Sequence, residues 1–173
     1  METWRAISTY RAVRSFDPRH IPEAGLDRIL LAGRRAPSSK NMQRWAFIAC
    51  TDRAHLRELS EVGPFAGHLA GAAAAVAIVV PQTDEVSARE WTVFDVGQAV
   101  QNMLLAAWDQ GIGGAHAAVY DEPLARRLLG YPDGYRCDLL LSLGFPADPA
   151  ALTAPPERGG RRPPDEVIHR ERW

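Results

Sequence analysis

Residues 89–114 read REWTVFDVGQAVQNMLLAAWDQGIGG, the longest regular pattern in a chain of 173 residues. Val93, Val96, Gly97, Val100, Met103, Leu104 and Ala107 fall on one helical face. Phe94, Ala99, Leu105, Ala106 and Trp108 fill much of the remainder, leaving Asp95, Gln98, Gln101 and Asn102 as a narrow polar stripe. The spacing predicts a helix over 89–110 that is apolar nearly all round, and such a helix has to be buried on most sides. In a domain this small, a second subunit is a natural supplier of that burial. The glycines that follow stop the helix at Gly111 and lead into the extended segment GIGGAHAAVYD. They do not make a dinucleotide-binding fingerprint: the spacing is GxGG, and they follow a helix where a strand is required.

Around this helix the composition is that of one ordinary globular domain, 46% apolar and 24% charged. Twenty basic and 21 acidic residues give a net charge of −1, so no bulk field favours nucleic acid or an anionic membrane. Nineteen of the cations are Arg and only Lys40 is Lys, so the position of particular arginines, not their number, carries information. Cys50 and Cys137 stand far apart inside apolar runs, which predicts buried thiols in a reducing compartment. His20, His55, His68, His116 and His169 are scattered without zinc-site spacing, so no metal is expected. The amino terminus lacks the apolar core of a signal peptide, and the longest apolar run, 72–81, is too short to span a bilayer. The expected location is the cytoplasm, with no membrane and no nucleic-acid partner.

Working outward, Trp4, Ile7 and Tyr10 predict a first helix ending near Arg14, then an extended stretch around Pro18 and Pro22. Leu26, Ile29, Leu30 and Gly33 predict a second helix over 22–35. A strand is expected over 46–50, and a helix capped by Asp52 and running to about Val62. Residues 65–70 read as loop or short helix, and 75–80 as the strongest strand. A helix over 122–129 ends at Gly130 and Pro132, and a central strand over 139–145 stops at Pro146. Residues 147–156 read as a linker, and the closing RGGRRPPDEVIHRERW carries five arginines with Val167, Ile168 and Trp173 as anchors. The chain reads as one domain over 1–173, with 147–173 forming linker and extended arm.

Residues 36–47, APSSKNMQRWAF, cannot be core, because Ser38, Ser39, Asn41 and Gln43 would each need a partner if buried. By itself the stretch reads as an ordinary helix-to-strand turn; the alternative is a loop whose short polar groups face a planar polar ligand. The chain assembles no nucleophile elbow, phosphate-binding loop, zinc motif or catalytic triad, so any chemistry would belong to a cofactor. Arg11 with Arg14, and Arg161 with Arg162, have the forked donors that suit a phosphate, although each pair also fits a solvated surface.

Taken together, YRAVRSF (10–16), APSSKNMQRWAF (36–47), FDVGQAVQNMLLAAWDQGIGG (94–114) and GRRPPDEVIH (160–169) resemble the FMN-dependent nitroreductase family in order and spacing. LLGYPDGYRCDLLLSLGFP (128–146) is similar to the family's segment before its closing tail. The resemblance implies an α+β fold, with a mostly antiparallel central sheet flanked by helices, in an intertwined homodimer whose tail wraps the partner. It implies Arg11 and Arg161 on the FMN phosphate, with Arg14 close by. Pro37, Ser38, Ser39 and Asn41 of the other subunit would line the ribityl chain and flavin ring, and Gly113 and Gly114 would let backbone amides approach the ring. It further implies hydride transfer from NAD(P)H, in two half-reactions, to a small-molecule acceptor such as a nitroaromatic or quinone.

Two departures stand out. Tyr10, Arg11 and Ala12 stand where the family often has two basic residues and Ser, so one cation and one hydroxyl contact are missing. Arg44 replaces a common Pro, which implies weaker FMN binding or recognition of an anionic substrate. The alternatives are a same-fold enzyme with specialised chemistry (flavin breakdown, reductive dehalogenation or azoline oxidation) and a non-catalytic FMN-binding or regulatory protein.

Overall fold

The computed structural model describes residues 2–153 and 160–173. Five helices and four strands follow in the order α1 (Thr3–Thr9), α2 (Glu23–Arg34), β1 (Ala46–Cys50), α3 (Arg53–Leu59), β2 (Ala74–Pro81), α4 (Val86–Trp108), β3 (Gly113–Ala118), α5 (Glu122–Leu129) and β4 (Tyr135–Gly144). The strands form one fully antiparallel sheet in the order β1-β2-β4-β3. This is the expected α+β architecture.

The central strands are apolar at almost every position because both faces of the sheet are covered. Ala74, Val76, Ile78 and Val80 of β2 point with Leu141 and Leu143 toward Ile29 of α2 and Val100, Met103 and Leu104 of α4. The alternate residues Ala75, Ala77 and Val79 point with Leu140 and Cys137 toward Leu56 and Leu59 of α3 and Ala125 of α5. A bulge between Ile78 and Val79 lets the pairing continue to Pro81–Tyr135.

Local chemistry sets several ends. The Asp52 carboxylate accepts the His55 amide at 2.8 Å to open α3, and the Asp121 carboxylate accepts the Leu124 amide at 2.9 Å to open α5. Gly130 closes α5 in the left-handed conformation at φ 69°. β1 and α5 have the expected bounds, α2, β2 and α4 shift by one to three residues at their ends, and three further elements differ for a visible reason. The first helix ends at Thr9, not near Arg14, because residues 13–17 are drawn out along the sheet. There Val13 N–H donates to Gly114 C=O at 3.0 Å and Asp17 N–H to Phe145 C=O at 2.9 Å. α3 stops at Leu59, where the Ser60 hydroxyl donates to Arg57 C=O at 2.6 Å. β4 begins at Tyr135, earlier than the apolar run, because it pairs with the end of β2.

Within the expected 147–156 linker, Pro149–Leu152 form a short 3₁₀ turn; residues 154–156 lie outside the described residues. From Gly160 to Trp173 every residue is exposed. Cys137 is buried and Cys50 half-buried, both as free thiols. Among the described residues no helix is long and apolar enough to cross a membrane.

Leu141 lies in the central strand with no exposed surface. Leu141→Ala is expected to remove about 2–5 kcal/mol of stability and lower the melting temperature by about 5–15 °C, as read by thermal unfolding.

Candidate cofactor site

The 36–47 loop is strained and tightly bonded. Lys40, Asn41 and Gln43 all hold positive φ, at 52°, 56° and 48°. Non-glycine residues there cost on the order of 1–3 kcal/mol each, Asn the least, and persist only where the surroundings enforce them. The enforcing bonds are specific. Asn41 N–H donates to Ser38 C=O at 2.9 Å, Met42 N–H to Ser39 C=O at 3.0 Å, and Gln43 N–H to the Ser38 hydroxyl at 3.0 Å. Ser39 N–H reaches across to α4 and donates to both carboxylate oxygens of Asp95, at 3.1 and 3.0 Å. Pro37 borders a groove with Val93, Phe94, Gly97 and Gln101 on the open face of α4.

The second group gathers at the outer edge of β3. Val13 packs where a Cβ on Gly113 would stand 2.6 Å from its own Cβ, and a Cβ on Gly114 would meet Ser142 C=O at 2.8 Å and Leu104 at 2.9 Å. Both glycines are thus required by packing within the chain itself, and both are buried. Tyr10 turns inward against Trp108, with ring centroids 5.5 Å apart, so this departure from the family pattern belongs to the core. Arg11 donates from Nε to Thr9 C=O at 3.3 Å, but its Nη1 is buried with no hydrogen-bond partner among the described residues. A buried guanidinium N–H without an acceptor is costly and awaits an anion or polar oxygen.

Arg14 is exposed beside two histidines. His68, in a 3₁₀ turn over Gly67–Gly71, bridges to the sheet: its Nδ1 lies 2.8 Å from the Ser142 hydroxyl and its Nε2 3.2 Å from His116 C=O. A carbonyl only accepts, so Nε2 carries the proton and, in the neutral ring, Nδ1 accepts from Ser142. Partial burial first, and then the Arg14 charge, pull the pKa of both His68 and His116 below 6.5.

The chain brings Arg11, Arg14, Gly113 and Gly114 together at one end of α4, where the Trp108 indole N–H donates to the Thr9 hydroxyl at 3.0 Å. Pro37, Ser38, Ser39 and Asn41 are tied to the other half, at Asp95. At 1.5 Å per residue, about 20 Å of helix separates the two attachment points. Arg161 lies in the exposed arm, and its side chain has no hydrogen bond among the described residues. An FMN phosphate suits the unpartnered Arg11 donor, and polar ribityl and ring atoms suit the exposed Asn41 side chain and the half-exposed serines.

Asp95 and His68 have the most specific contacts here, and the sequence reading gave neither a role. A carboxylate well inside a helix apolar nearly all round is the signal that marks Asp95, because a buried carboxylate demands a donor. His68 offers no comparable signal: its partners Ser142 and His116 meet it only through the β3–β4 pairing.

A model of the nitroreductase family matches residues 7–65 and 61–145. A protein of Archaeoglobus fulgidus, provisionally named NADH dehydrogenase/NAD(P)H nitroreductase, is 35% identical over 99% of both chains. The fold is similar to that of an FMN-dependent nitroreductase from Clostridium difficile R20291, with a TM-score of 0.82 at 20% identity over 99% of this chain and 100% of that one. It is also similar to the NADPH:FMN oxidoreductase of Vibrio harveyi in complex with NAD+, with a TM-score of 0.83 at 24% identity over 98% and 78% of the two chains.

The lowered pKa of His68 and His116 gives stability a pH dependence. Below pH 6.5 the unfolded chain takes up protons that the folded histidines resist, so stability is full above that value and falls as the solution is acidified. The urea midpoint is expected to drop between pH 7.5 and 5.5, and His68→Gln to flatten part of that slope.

Proposed function

The chain belongs to the nitroreductase family, and from that premise we propose that it is a flavoprotein oxidoreductase carrying hydride from NAD(P)H, through FMN, to nitroaromatic, quinone or similar acceptors. Bound FMN supplies reversible hydride acceptance, so oxidation of NAD(P)H and reduction of the acceptor are two separate half-reactions. The observation that carries this reading is the buried, unpartnered Nη1 of Arg11 beside the Gly113–Gly114 edge of the sheet.

In this reading Arg11 and Arg161 hold the phosphate and Arg14 adds a nearby charge. Ser38, Ser39 and Asn41 contact the ribityl chain and ring. Gly113 and Gly114 keep β3 close to the segment that carries Arg11, and the backbone at this edge approaches the ring.

The site is proposed to form between two subunits. Its two halves are attached about 20 Å apart on α4, so a neighbouring copy of α4 running the opposite way would bring the loop of one chain to the Arg11 of the other. α4 presents Trp91, Val93 and Phe94 at 53%, 63% and 59% exposure, an apolar face beside Pro37 that a partner would cover. The wholly exposed arm, with Val167 and Ile168, is proposed to wrap that partner, and the unpaired outer edge of β1 is a place for it to lie.

The purified protein is expected to be yellow and to bleach when NADPH or NADH is added anaerobically; a colourless protein that ignores added FMN would contradict the proposal. Bleaching followed by recovery with a nitroaromatic or quinone separates an oxidoreductase from a protein that only binds flavin. Arg11→Ala is expected to weaken FMN binding by about 1.5–3 kcal/mol, a rise in Kd of about 10- to 150-fold in a fluorescence titration.

A further inference from the structure

Asp95 is 1% exposed and lies well inside α4, where it can cap nothing. Aspartate is a poor residue for a helix interior, and a buried carboxylate is among the most expensive groups to desolvate. An apolar residue here would suit the helix better, so the carboxylate must serve its hydrogen-bond partner. That partner is the Ser39 amide, the first residue of the turn that carries the left-handed Lys40, Asn41 and Gln43.

We propose that Asp95 is a positioning residue of the flavin site: its buried carboxylate grips the Ser39 amide and holds the 38–43 turn in the left-handed form that presents Ser38, Ser39 and Asn41. The proposal rests on the FMN reading for what the turn presents itself to, and on the contact alone for how the turn is held. The bonds within the turn run between neighbours and can move with it as a unit. The Asp95 contact spans 56 positions of sequence and ties the turn to the helix. A charged acceptor that is itself buried makes this one of the stronger tethers available.

The test has two parts. In the flavin-free protein, Asp95→Ala is expected to speed hydrogen exchange of the Ser39 amide by about 10- to 100-fold, with Asp95→Asn between the two. In the FMN titration, Asp95→Ala is expected to raise Kd by a similar factor. Lys40→Gly alone, at an exposed side chain, is expected to change Kd less than about 3-fold. Added to Asp95→Ala, it should recover part of the loss, because glycine adopts positive φ without strain.

Rescue separates a held turn from a merely disturbed helix, which Lys40→Gly would not repair. Unchanged Ser39 exchange in Asp95→Ala overturns the grip. Faster exchange with unchanged Kd, or a raised Kd that Lys40→Gly fails to improve, overturns the link to the site. Wild-type protein that takes up no FMN overturns the flavin reading and the site role with it, while the exchange result still decides the grip.

Discussion

One long helix separates two groups of residues that would have to meet around a single ligand. α4 carries the polar turn through Asp95 in its first half and the arginine-bearing segment through Trp108 at its last residue. Both attachments are fixed: one by a buried carboxylate, the other by an indole hydrogen bond and a Tyr10–Trp108 ring contact. A rigid rod of this kind cannot fold its ends together. In the proposed dimer the exposed apolar face on the same helix has a reason, because the contact that would bury it would also complete the site.

The sheet contributes a second constraint. Residues 13–17 run along the outer edge of β3 and on to Phe145, so the position of Arg11 and Arg14 depends on the strand. Gly113 and Gly114 make this possible by leaving room for Val13 and Leu104. His68 fastens the same edge from the opposite face through His116 C=O and the Ser142 hydroxyl. Each of these contacts is modest alone. Together they hold one unpartnered guanidinium N–H in a buried position, a strained arrangement that proteins keep at sites where a ligand relieves it.

Much of this was legible in the residues. The apolar surround of α4, the short strand β1 and the capped helix α5 follow from periodicity and end signals, and the structure has them. The polar turn was recognisable as something other than core, and the arginine segments were recognisable as candidates for an anion. What local pattern could not give were the places where distant segments compete with it. The first helix was read too long because nothing near Val13 reveals that its amide pairs with Gly114. Gly113 and Gly114 read as openings toward a ring, whereas their neighbours within the chain already require them. The role of Asp95 was obscured by grouping it with the half-buried Gln98 and exposed Gln101 as one polar stripe; burial separates them.

The central claim is that each flavin site takes its turn from one subunit and Arg11 from the other. Hybrid dimers test this most directly. One chain would carry Arg11→Ala and the other Ser39→Pro, which removes the amide that Asp95 holds; differently tagged chains allow the hybrid to be isolated from both parents. If the site is shared between subunits, one site of the hybrid receives both lesions and the other receives neither. The hybrid should then hold one FMN at wild-type affinity while both parent dimers bind it weakly. A hybrid with no tight site, binding as weakly as its parents, would show that each subunit builds its own site and would contradict the account.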